Sequence, residues 1–137
     1  DGNLGWEKKR YRSVYLPVAR NNPSNDLGVF DAADPDVVSG ARPVTNVPTQ
    51  ALFLLNAPFV AERAKVLAGL ASAAEGDPDG RVSWLYRHVL QRQAAPPERS
   101  RATAFCQELV ADGVPENEAL TRFAHVLVAS TEFQFLD

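Results

Sequence analysis

The stretch Arg81-Val82-Ser83-Trp84-Leu85-Tyr86-Arg87-His88-Val89-Leu90 places apolar residues at 82, 85, 86, 89 and 90. Those are the i, i+3, i+4, i+7 and i+8 positions that share one face of an α-helix. The same spacing returns in Ala102, Phe105, Cys106, Leu109 and Val110, and again in Leu120, Phe123, Ala124, Leu127 and Val128. Proline lacks an N–H that a first helical turn would leave unbonded, so Pro96 and Pro115 read as the starts of the second and third of these helices. Gly113 is placed to end the second in a left-handed conformation. Three matched stripes with short connections predict an antiparallel or orthogonal array of helices.

Working outward, Gly76-Asp77-Pro78-Asp79-Gly80 is a turn cluster that sets the first stripe's helix to begin near Gly80. Upstream, Pro48 opens a helix through Leu55. Asn56-Ala57-Pro58 breaks the chain, with Asn56 expected to cap a further helix from Pro58 to about Ala74. The fold class is therefore all-α, with about five helices beginning near Pro48, Pro58, Gly80, Pro96 and Pro115. The expected core is Val82, Leu85, Tyr86, Val89, Phe105, Cys106, Leu109, Leu120, Phe123, Leu127 and Phe133.

Residues 1–47 carry no helical period. Val14, Leu16 and Val18 alternate like an extended segment, and Pro17 argues against a central strand. Asn21 to Val47 is rich in Asn, Asp, Pro and Gly, which is loop chemistry, with room for one helical turn at Asp26–Phe30. The expected organisation is a single domain over 1–137, an extended arm and long loop over 1–47 followed by the array over 48–137. With no methionine in it, the chain is expected to be a piece of a longer protein.

Composition narrows the function classes. Fourteen basic against seventeen acidic groups give no general attraction to nucleic acid or anionic lipid. Five of the basic groups, Lys8, Lys9, Arg10, Arg12 and Arg20, gather in the first twenty residues, where pairing within the molecule is the expected use. One cysteine excludes an internal disulfide framework and a cysteine-rich metal site. No apolar run approaches the ~20 residues of a membrane span.

Catalytic side chains do not assemble in the sequence. His88 and His125 lack a neighbouring nucleophile or orienting carboxylate, so neither reads as a general base. Cys106 lies on an apolar stripe and reads as a small buried hydrophobe. No catalytic residue and no metal ligand set is assigned. The densest polar constellation runs from Arg42 through Thr45, Asn46, Thr49 and Gln50, around a helix start where four backbone N–H groups need partners. It could cap the helix, or with Arg42 it could receive an anion or sugar hydroxyls. Asp31, Asp34 and Asp36 form a carboxylate cluster whose spacing departs from the calcium-loop pattern. Arg42 is expected to pair with these carboxylates and pin the long loop.

Here the sequence also resembles a family. Phe30-Asp31-Ala32-Ala33-Asp34-Pro35-Asp36-Val37 and the run Gly40-Ala41-Arg42-Pro43-Val44-Thr45-Asn46-Val47-Pro48-Thr49-Gln50-Ala51-Leu52 to Asn56-Ala57-Pro58 are similar to the C-terminal domain of unknown function in large planctomycete secreted proteins. The likeness extends to Arg12–Val18, to Leu85–Arg92 and to the ending Ser130–Asp137. It departs at Gln91-Arg92-Gln93-Ala94, where relatives usually have Gly-Arg-Pro-Pro. Proteins of this kind commonly also carry a planctomycete-type cytochrome c domain.

The resemblance implies an exported chain, periplasmic or extracellular, and no reaction. No cofactor is expected in these residues, which hold no Cys-x-x-Cys-His pattern; any haem would sit elsewhere in the parent. Two expectations follow. One is a non-catalytic structural or interaction module whose partners are other domains of its parent or a separate protein. The other is that Arg42, Thr45, Asn46, Thr49, Gln50 and the three aspartates line part of a ligand, glycan or active site in an exported degradative or redox protein.

Overall fold

A computed structural model describes residues 29–30 and 48–134. The chain divides into two compact units, Asp1–Gln50 and Ala51–Asp137. In the first, Val29 is helical and Phe30 lies in a turn, both half-buried, at the end of the turn expected over Asp26–Phe30. The expected arm and the rest of the long loop lie outside the described residues.

Among the described residues of the second stretch, six helices follow: α1 (Pro48–Asn56), α2 (Pro58–Ala74), α3 (Pro78–Val89), α4 (Pro96–Ala111), α5 (Glu116–Val128) and α6 (Thr131–Gln134). There is no strand among the described residues, and the all-α reading holds. One helix start is sharpened and one local expectation needs correction. Helix α3 starts at Pro78, two residues before Gly80, because the Asp77 carboxylate accepts a hydrogen bond from the Gly80 N–H at 2.8 Å and so caps the helix. A β-carbon at Gly80 would come within 2.7 Å of that carboxylate, so glycine suits the site. Asn56 does not cap α2. Its amide donates back to the Leu52 carbonyl at 2.8 Å, closing the end of α1, and Ala57 takes the cap position.

Helix α4 ends as Gly113 requires. Gly113 has φ +88°, its N–H reaches the Val110 carbonyl at 3.0 Å, and the Val114 N–H reaches that of Leu109 at 2.9 Å. This pair of bonds is the Schellman ending.

The most extensive interface joins α2 to α5. Helix α2 buries Val60, Ala64, Ala68 and Ala71; α5 buries Ala119, Leu120, Phe123, Ala124, Leu127 and Val128. Small side chains on both helices permit close approach of the backbones. Helix α3 adds Val82, Leu85, Tyr86 and Val89, with Leu85 fully enclosed. The Tyr86 and Phe123 rings lie 6.0 Å apart. On the opposite side of α5, the His125 Nε2–H donates to the Leu54 carbonyl at 2.8 Å, satisfying a group in the last turn of α1.

Four expected core residues are not buried. Phe105 is 37% exposed, Phe133 is 43% exposed, and Cys106 and Leu109 are half-buried. Helix α4 is an outer helix whose one buried residue is Ala102, so its stripe meets the array along an edge. Phe105 meets the core at Phe123, with ring centroids 6.5 Å apart. Phe133 sits on α6, a single turn too short to bury both of its sides.

Candidate functional site

Of the polar run, the described residues are Thr49 and Gln50, in the first turn of α1. Thr49 is exposed and Gln50 is buried. Arg42, Thr45, Asn46, Asp31, Asp34 and Asp36 lie outside the described residues.

The histidines stand apart in role. His88 stacks on Trp84, ring centroids 3.7 Å apart, and its Nδ1–H donates to the Trp84 carbonyl at 2.8 Å. His125 is committed to Leu54. Neither is hydrogen-bonded to a carboxylate or a hydroxyl among the described residues, which is the arrangement a general base needs. No group of three metal-ligating side chains gathers among the described residues. Burial pushes the Cys106 thiol up, away from the thiolate that nucleophilic chemistry requires. Cys106 borders a crevice of about 20 Å³ between Arg81, Val82, Thr103, Glu116 and Leu120. That volume suits one water molecule and no organic substrate.

Among the described residues, the most densely bonded polar cluster is one that periodicity does not reveal. Just past α3, Arg92 donates to both Glu98 oxygens at 2.7 Å and to both oxygens of Glu132. Its guanidinium carbon lies 5.4 Å from the centroid of the Tyr86 ring. Glu98 also accepts from the Ala95 N–H at 2.7 Å, so it closes the start of α4 as well. These bonds from Arg92 and from the Ala95 amide hold the Glu98 carboxyl down to about 2. Arg92 in turn holds Glu132 below its ordinary value, and the two carboxylates push the guanidinium further up. Burial, with Glu98 nearby, pushes the Tyr86 phenol up. Every nitrogen of the guanidinium is engaged within the molecule, so the cluster is a fastening between α3, α4 and α6. The sequence signal for it was the Glu98 position three residues into a proline-opened helix.

Gln91, immediately before it, has φ +55°, a left-handed conformation that a residue with a side chain rarely adopts. Its side chain compensates by donating to the His88 carbonyl at 3.0 Å.

The surface has one other distinctive feature. Helix α2 buries a face of small residues yet exposes Phe59 (58%), Val66 (50%) and Leu70 (52%) on another. Leu52 and Leu55 of α1 are exposed to a similar degree. A helix apolar on two faces is normally covered on both. No helix among the described residues is long and apolar enough to cross a membrane.

Fold and surface together define a small helical module fastened at its surface by the Arg92 cluster, with no catalytic constellation among the described residues and an apolar face turned outward. The chain belongs to the PSD1 family of proteins of unknown function (DUF1553), whose sequence model matches residues 3–106. That match takes in the polar run and α1 to α3 and ends within α4. No curated protein and no solved structure matches the chain significantly.

Proposed function

We propose that this domain is a non-catalytic interaction module that docks onto other domains of a large exported protein, at whose C-terminus it lies. The observation that carries the reading is the second apolar face of α2, because large exposed apolar patches mark surfaces that are covered in the working assembly. The resemblance to planctomycete secreted proteins supports export to the periplasm or beyond. It also supports a cytochrome c domain elsewhere in the parent, which would carry any haem.

The test is the double variant Val66→Glu, Leu70→Glu, made both in this chain and in the intact parent. Both side chains are half exposed, so the isolated chain should melt as before, while the parent should release the domain to limited proteolysis. Unchanged proteolysis of the parent would overturn the docking role.

A second reading makes Arg42, Thr45, Asn46, Thr49, Gln50, Asp31, Asp34 and Asp36 part of a ligand, glycan or active site in a degradative or redox protein. Thr49, exposed in that run, would face such a ligand, and Gln50, buried beside it, would support it. On this reading Arg42→Ala weakens sugar binding and leaves the melt unchanged. If Arg42 instead pins the loop, the melt falls.

A further inference from the structure

Helix α2 carries Phe59, Arg63, Val66, Leu70 and Ala73 at steps of four, three, four and three residues. All five are exposed. Repetition every 3.5 residues is the seam along which one helix packs onto another, each side chain entering a gap in the facing helix. At 1.5 Å per residue, Phe59 to Leu70 spans about 16 Å, room for three turns of a partner. A flat or strand-like surface would not match that period.

One charge interrupts the seam. The Arg63 guanidinium carbon lies 5.0 Å from the centroid of the Phe59 ring, so the side chain runs along the apolar stripe instead of away from it. The ion pairs found among the described residues involve Arg81, Arg92 and Arg122, and none involves Arg63. Covering Phe59 and Val66 would take this guanidinium out of water as well. That is costly unless the covering surface supplies a carboxylate.

We propose that the outer face of α2 receives an amphipathic helix of a partner domain, one bearing apolar residues at heptad spacing and a Glu or Asp opposite Arg63. The proposal rests on the docking reading above and names its occupant. The acidic group selects the partner and its register, as polar groups inside helical seams do elsewhere.

The test uses two designed helical peptides of about three heptads, apolar at the seam positions, differing at one central seam position that is Glu in the first and Lys in the second. Each is titrated into the full chain and followed by fluorescence anisotropy. The Glu peptide should bind about tenfold tighter or better, and Arg63→Glu should reverse the order. Arg63 is exposed, so this variant should keep its helical circular dichroism. Leu70→Glu should abolish binding of both peptides. Equal affinities, a preference that survives Arg63→Glu, or no binding of either peptide would overturn the proposal. Sedimentation showing a dimer that Leu70→Glu dissolves would seat a second copy on the seam and overturn it too. If Phe59 and Leu70 are protected in the intact parent while the peptides bind equally, the docking reading stands and the acidic helix falls. If they are unprotected, both fall.

Discussion

Arg92 grips Glu98 with its two terminal nitrogens, each 2.7 Å from a carboxylate oxygen, and so joins the end of α3 to the first turn of α4. The planar fork matches the carboxylate in a way a lysine ammonium cannot. Arg92→Ala should destabilise the domain by about 1 kcal/mol in urea unfolding, a modest figure because the pair is partly exposed to solvent. Arg92→Lys should recover little of that loss. Full recovery by lysine would mean that charge alone, not the fork, holds the junction.

The same pair sets an acid limb. The folded-state Glu98 carboxyl, at about 2, lies below its ordinary value of 4.5. The unfolded chain therefore binds this proton first as pH falls, and the stabilisation present above about pH 4.5 is lost progressively on the way to about pH 2. In Arg92→Ala the stability profile should be flatter across that window. An identical slope in both proteins would remove Glu98 from the acid transition.

Core and edge should separate cleanly. Phe123→Ala, at the meeting of α5 with Tyr86 and Phe105, should cost about 3–5 kcal/mol, and Leu85→Ala about 2–5 kcal/mol. Phe105→Ala should cost less than about 2 kcal/mol, because over a third of that residue is already in water. Comparable losses at Phe105 and Phe123 would mean that α4 is an inner helix and not an outer one.

At the turn after α3, Gln91→Gly should raise stability by about 0.5 kcal/mol. It relieves a left-handed backbone at φ +55°, partly offset by the freer unfolded chain and by loss of the bond to the His88 carbonyl. A fall in stability would mean that the side-chain bond outweighs the backbone strain.

Cys106 should react slowly with a thiol reagent in the native state and quickly in denaturant. Its burial is partial, and burial also disfavours the thiolate. Equal rates would restore a redox role.

How much of this was legible in the sequence follows from what periodicity encodes. The stripes of α3 and α5 located their buried residues, Val82, Leu85, Tyr86, Val89, Leu120, Phe123 and Leu127, because each helix is covered along its whole apolar face. The equally regular stripe of α4 misled, since spacing tells which residues share a face and not whether a neighbour covers it. Asn56 had the chemistry of a cap on either side, and only the backbone around Pro58 assigns it to α1. The Arg92 cluster was hidden because Glu132 lies forty residues away in sequence. Of the expected site, Thr49 and Gln50 fall among the described residues, and their neighbours in the polar run lie outside them.

The central claim, that the outer face of α2 is covered in the intact parent, is most directly tested by hydroxyl-radical footprinting of Phe59 and Leu70. Both should be labelled readily in this chain, where each is more than half exposed. In the intact parent both should be strongly protected, while an exposed residue such as Val126 keeps its reactivity. Equal labelling of Phe59 and Leu70 in the two proteins would contradict the docking role.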